Sequence, residues 1–142
     1  MARRPGHRRR LNDPAAIAVD GKTLRGSRTT DTPARHVMTA CDQATGVVLA
    51  SIDVDGKTNE ITRFAPLLDH ISDLRDTVIT ADALHCQREH VTYLVERGAH
   101  WNLTVKGNQP HLHTQLTALP WPAVPTPPAT PTADTAAAKS AA

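Results

Sequence analysis

Two short apolar runs, Ala15–Val19 and Thr77–Ala81, each end on an aspartate, Asp20 and Asp82. This repeated pattern limits the fold more tightly than anything else in the chain. Runs this short read as strands, and the first suits a strand buried on both faces. Between them a polar stretch from Gly26 to Ala34 reads as loop. Two β-rich runs then follow, His36–Cys41 and Val47–Val54, joined by Asp42-Gln43-Ala44-Thr45-Gly46. That spacing predicts a hairpin with Gly46 in the left-handed conformation. A helix is predicted over Asn59–Ile71, where Ile61, Phe64, Leu67, Leu68 and Ile71 recur on one face. Thr58 or Asn59 is placed to cap it, and Glu60 in its first turn suits the helix dipole. Pro66 lacks a backbone donor, so it predicts a kink or a second helix start. After Asp82, Leu84, Val91, Leu94 and Val95 share one face of a predicted helix over Leu84–Arg97, which Gly98 stops. Trp101–Val105 reads as a last strand, and a short helix runs from about Pro110 to Leu119.

Three strands, a helix, a strand, a helix, a strand and a helix predict an α/β mixed sheet with helices packed on its faces. This element order resembles the RNase H-like fold, in which the first and fourth strands lie side by side. Asp20 and Asp82, distant in sequence, then meet at one edge of the sheet. The 142-residue length suits one small domain. Its expected limits are 15–119, preceded by a basic disordered arm over 1–14 and followed by a disordered Pro/Ala-rich tail over 120–142.

The net charge of +2 excludes a strongly basic nucleic-acid coat, yet Arg3, Arg4, Arg8, Arg9 and Arg10 crowd the start. Such an arm reads as a phosphate-binding footprint or as a solvated terminus. No apolar stretch follows these arginines as in a secretory signal, and none is long enough to span a bilayer. Cys41 and Cys86 form neither a disulfide framework nor a zinc spacing, which fits the reducing cytoplasm. Aromatic residues are too few to build stacking platforms for single strands.

Two carboxylates at adjacent strand ends suit metal-assisted phosphoryl transfer, because Mg²⁺ is a hard cation that takes one or two carboxylates per ion. A plainer reading also stands: an aspartate often starts a turn, and Asp82 is placed to cap the following helix. Longer strings favour the first reading. Ile17-Ala18-Val19-Asp20-Gly21-Lys22-Thr23-Leu24-Arg25-Gly26-Ser27, Lys57-Thr58-Asn59-Glu60-Ile61, Thr80-Ala81-Asp82-Ala83-Leu84-His85-Cys86-Gln87 and Val105-Lys106-Gly107-Asn108-Gln109-Pro110 occur in this order. Together they resemble the motifs of DDE-type insertion-sequence transposases of the H-repeat-associated branch, over about Ala15 to Leu119.

The resemblance implies that Asp20 and Asp82 are the first two catalytic, metal-binding carboxylates, with Mg²⁺ or Mn²⁺ as cofactor. It implies double-stranded DNA at transposon ends as partner, and itself or a full-length transposase as a further one. The family's third carboxylate is a glutamate in an Ile-Glu-Asn context, which this chain lacks; Asp134 is the only acidic residue after Lys106. The chain is therefore expected to be a piece of a transposase lacking the N-terminal segment and the C-terminal catalytic glutamate, its fold incomplete at the C-terminus and its catalysis lost. Alternatives are a non-catalytic protein that binds DNA or interferes with transposition, and a decayed gene product without function. Lys22 and Arg25 are candidate DNA contacts, each also readable as a solvated loop residue, and Lys106, Asn108 and Gln109 read either as DNA contacts or as caps of the final helix. Glu60 reads as electrostatic trim or a metal neighbour, and His85 as a partly exposed helix-start residue or a group that orients a carboxylate. Cys86 reads as a small buried residue.

Overall fold

A computed structural model describes residues 15–55 and 60–125. The arginine arm, the caps at Thr58 and Asn59, Lys57, and the tail beyond residue 125 lie outside the described residues. The strands are β1 (Ala16–Thr23), β2 (His36–Asp42), β3 (Val48–Val54), β4 (Val78–Ala81) and β5 (His100–Leu103). The helices are α1 (Glu60–Leu68), α2 (Arg88–Glu96) and α3 (Pro110–Thr117). The predicted element order is realised.

The strands form one sheet in the order β3-β2-β1-β4-β5. β1, β2 and β3 are an antiparallel meander, and β4 and β5 add to it in parallel. The β2–β3 turn closes with Gly46 at φ 73°, and the Asp42 carboxylate accepts from the Ala44 and Thr45 amides. This left-handed position favours glycine. β3 forms one outer edge of the sheet, and Val48 and Leu49 on it are exposed.

Period-two alternation gives β1 two unlike faces. Ile17 and Val19 are buried, whereas Ala16 and Ala18 are half-buried and Asp20 is exposed. The expectation of a strand buried on both faces is thus corrected: among the described residues, a helix layer covers one side of β1. That layer is α1, lying across β2 and β3, with α2 beside β5.

α1 buries Glu60, Phe64, Leu67 and Leu68, positions that fall on one stripe of a helix. Pro66 sits inside a continuous segment, so no second helix start occurs there. The helix instead ends two residues later, its last turn tightened by His70 N–H to Leu67 O and Ile71 N–H to Leu68 O. α2 departs further from expectation. The chain forms a 3-10 turn at Ala83–His85, breaks at Cys86 and Gln87, and restarts at Arg88. Within α2, Leu94 is buried as expected and His90 is buried beside it, whereas Val95 is 56% exposed. Gly98, at φ 68°, ends α2: its N–H bonds Val95 O and the Ala99 N–H bonds Leu94 O. That pair of bonds is the Schellman arrangement.

Phe64 is fully buried and its ring stacks on both His85 and His90, at centroid distances of 5.1 and 4.2 Å. Phe64→Ala would remove this layer and leave a cavity, so it is expected to cost about 3–5 kcal/mol in urea unfolding.

Candidate active site

The β1–β4 pairing runs from Ala16↔Val78 to Val19↔Ala81. The next step along each strand is Asp20 and Asp82. Asp20 does not end its strand as expected, because β1 continues to Thr23 in pairing with β2. It is held on the β2 side, opposite Thr39, and open on the other. The opening arises because the chain leaves β4 at Asp82 for the 3-10 turn. Asp82 Oδ1 accepts from the Leu84 N–H at 3.0 Å, so the capping role foreseen for Asp82 is present alongside its place beside β1. Asp20 and Asp82 line one shallow cleft of about 430 Å³ with Ala18, Thr80, Asn102 and Thr104.

A second cleft, of about 850 Å³, is lined by Gly21, Lys22, Arg25, His36, Glu60 and Asp82, among others. Asp82 belongs to both clefts. Lys22 is brought to the aspartates: its Nζ lies 3.3 Å from Asp20 Oδ2, and both side chains are well exposed. Such a surface pair contributes at most about 1 kcal/mol. Arg25, in the loop after β1, lines the second cleft, whereas Lys106 lines neither. The Lys106 loop is fastened to the turn behind Asp82 by the Asn108 side chain donating to Ala83 O and that of Gln109 donating to Cys86 O, at 2.7 and 2.9 Å. Gln109 stands at the start of α3 without a side-chain cap bond there, so Asn108 and Gln109 are ties between loops.

Beneath Gly21 lie His36, which the sequence did not single out, and Glu60 and His85, whose burial it did not foresee. Glu60, read as first-turn electrostatic trim or a metal neighbour, is 7% exposed. His85, expected to be partly exposed, is 1% exposed. Glu60 Oε1 is 2.5 Å from His36 Nε2, and Glu60 Oε2 is 3.8 Å from His85 Nε2. His36 Nδ1 lies 3.0 Å from the Thr23 hydroxyl. A neutral His36 protonated on Nε2 donates to Glu60 and accepts from Thr23, which satisfies both ring nitrogens. Gly21 makes room for this group, since a Cβ there would meet the Glu60 carboxyl at 2.7 Å. The signal was available: Glu60 precedes Phe64 by one helical turn and so continues the apolar stripe. His85 Nδ1 is buried and, among the described residues, has no hydrogen-bond partner. Burial pushes the His85 pKa below its ordinary value, and the nearby His90 adds to this. The carboxylates of Asp82, Glu60 and Asp20 oppose the shift.

With this geometry in hand, comparison with known proteins is decisive. The family described as the transposase DDE domain matches residues 11–122. This chain belongs to that transposase family. It is similar to the candidate transposase YncI of Escherichia coli O157:H7, 39% identical over 105 residues, covering 72% of this chain and 27% of the relative. It is also similar to the H repeat-associated candidate transposase YhhI of Escherichia coli K12, 36% identical over 104 residues with the same two coverages. The transposase-family chain thus spans about a quarter of the length of these relatives.

Among solved structures, a simian T-cell lymphotropic virus intasome in complex with a PP2A regulatory subunit aligns at TM-score 0.52 and 14% identity. The alignment covers 88% of this chain and 63% of that one. The piggyBac transposase synaptic complex with hairpin DNA aligns at TM-score 0.52 and 16% identity, covering 78% and 27%. The fold of the transposase-family chain is RNase H-like.

Divalent metal use belongs to the family. Among the described residues no group of three or more His, Cys, Asp or Glu side chains is arranged to hold an ion. The Asp20–Asp82 pair fits a more modest requirement. Both offer hard oxygen donors, both are exposed, and Mg²⁺ commonly completes its shell with water and substrate phosphate.

The His85 shift has a pH consequence. Its folded pKa lies below the ordinary value of 6.5, so the unfolded chain takes up the proton first as pH falls. Its contribution to stability is fully present above about 6.5 and is lost as pH falls through the folded value, by at most about 1.4 kcal/mol per pH unit. Urea unfolding at stepped pH from about 7 to 5 is expected to show this loss, and His85→Gln is expected to flatten it.

Proposed function

We propose that this chain carries two of the metal ligands and part of the DNA contact of a transposase active site. In this reading Asp20 and Asp82 hold Mg²⁺ or Mn²⁺, and Lys22 and Arg25 meet the phosphates of double-stranded DNA. The observation that carries it is the strand register: Val19 pairs with Ala81, one step before the two aspartates that share a cleft. Support for a DNA partner comes from the names of the relatives and from the hairpin DNA in the piggyBac complex.

The chain's own residues divide the work. Asp20 and Asp82 supply carboxylate oxygens from neighbouring strands. When bound there, the ion would polarise a phosphodiester oxygen and favour attack by water or a DNA 3′-hydroxyl. Lys22 is the internal counter-ion of Asp20. Were a cation held by Asp20, the Lys22 ammonium would be free to meet a phosphate, so the two would reinforce each other. Arg25 extends the positive rim towards the second cleft. Lys106, which lines neither cleft, contributes a further backbone contact.

Cleavage of DNA demands more than this pair supplies. Displacement at phosphorus needs both the attacking and leaving oxygens stabilised in fixed geometry, and misplacement by about 1 Å costs roughly a hundredfold in rate. These 142 residues are therefore proposed to bind DNA and a cation without cutting. In a supercoiled-plasmid assay with Mg²⁺ or Mn²⁺, nicking is expected at background. Robust nicking abolished by both Asp20→Ala and Asp82→Ala would overturn this.

DNA binding itself is expected to weaken with salt. Lys22→Ala is expected to lower the slope of log K against log salt by about one, as for the loss of one phosphate contact, in an anisotropy titration. An unchanged slope would remove Lys22 from the interface.

A further inference from the structure

We propose that Glu60 is a positioning residue: its buried carboxylate, bonded to His36 and facing His85 at 3.8 Å, sets the spacing of Asp20 and Asp82 without binding the ion itself. This rests on the reading of Asp20 and Asp82 as metal ligands and adds a residue that acts through them.

The argument starts from what Glu60 touches. Its carboxyl packs against Gly21, the residue after Asp20, so closely that no side chain fits between them. Through Oε1 it is bonded to His36, which in turn reaches Thr23 at the end of β1. Through Oε2 it faces His85 in the 3-10 turn that Asp82 caps. One carboxylate thus meets the strand of the first aspartate and the turn of the second. It does so just past Val19↔Ala81, where direct backbone pairing between β1 and β4 ends.

The geometry also argues against Glu60 as a ligand. Gly21 faces Glu60, and Asp20, one residue earlier, projects from the opposite face of β1. Both Glu60 oxygens already have an imidazole beside them. Stability alone is a poor reason for the arrangement. A buried charged group is costly to desolvate, and an apolar side chain of similar volume on the Phe64–Leu67–Leu68 stripe would often be no less stable. The trio accepts that cost, together with an unpartnered His85 Nδ1. What it provides is directional bonding across three elements. Partners behind metal ligands typically change affinity by about 10–100-fold when removed.

The test is Mn²⁺ affinity of the full chain, read by the electron paramagnetic resonance of free Mn²⁺, with circular dichroism to confirm folding. Asp20→Asn is expected to weaken binding at least about tenfold, as a lost ligand would. Glu60→Gln keeps the shape and an acceptor for His36, and is expected to stay within about threefold of wild type. Glu60→Ala removes the contact, and Gly21→Ala pushes the intact carboxylate aside; each is expected to weaken binding about tenfold. Retained affinity in Glu60→Gln beside lost affinity in Glu60→Ala is the signature of positioning.

If Glu60→Gln weakens binding as much as Asp20→Asn, Glu60 is a ligand and the proposal is wrong. If Glu60→Ala and Gly21→Ala both bind Mn²⁺ like wild type, Glu60 positions nothing. Should Glu60→Ala fail to fold, Gly21→Ala and Glu60→Gln decide. If the wild type binds no Mn²⁺, or Asp20→Asn binds it equally well, the underlying reading of the aspartates fails instead.

Discussion

The parallel pairing of β1 with β4 is the interaction on which the rest depends. It joins residues far apart in sequence, so forming it closes a long loop that holds β2, β3 and α1, at an entropic cost. Four register pairs bring Asp20 and Asp82 level. A shift of one residue would turn one aspartate to the other face of the sheet, because side chains alternate along a strand. The burial of Ile17, Val19 and Ile79 on the α1 side guards against that slip. The apolar core therefore does more than stabilise the fold: by choosing the register, it places two hydrophilic side chains together on the face away from α1.

The same strand separates two chemical environments. On one face Asp20 and Lys22 are open to water, where their attraction is weak and exchangeable. On the other, Gly21 admits a carboxylate into the protein interior, where hydrogen bonds are stronger and unpaired groups costlier. An exposed pair can give way to a cation and a phosphate with little penalty. A buried trio cannot rearrange cheaply, so it suits a role in holding geometry. The division follows from β alternation and from one residue without a side chain.

Much of this was legible in the sequence, and what was not has physical causes. The strands and their order could be read because short apolar runs and turn residues act locally. The meeting of Asp20 with Asp82 followed from that order. On α2, Leu94 was placed correctly and Val95 was not, and Leu84 belongs to a separate 3-10 turn because the chain breaks at Cys86 and Gln87. Glu60 was set aside because it was judged by its charge, although its position on the stripe with Phe64 and Leu67 already placed it inside. The burial of His85 depends on α1 and α2 closing over it, a tertiary event without a local signal. Asn108 and Gln109 were read as DNA contacts or caps because the carbonyls they reach, Ala83 and Cys86, belong to a turn distant in the chain.

The outer strand β3 bears on how this molecule behaves in company. One of its ends is guarded: Asp53 is held by a forked pair of hydrogen bonds from Arg35, placing charge beside the strand. The other end carries exposed Val47, Val48 and Leu49. An outer strand with apolar side chains turned to water is a template for another extended chain. Self-association of this protein at high concentration is therefore expected to begin at Val47–Leu49, as strand addition, and a single lysine there would be the economical way to keep it dispersed.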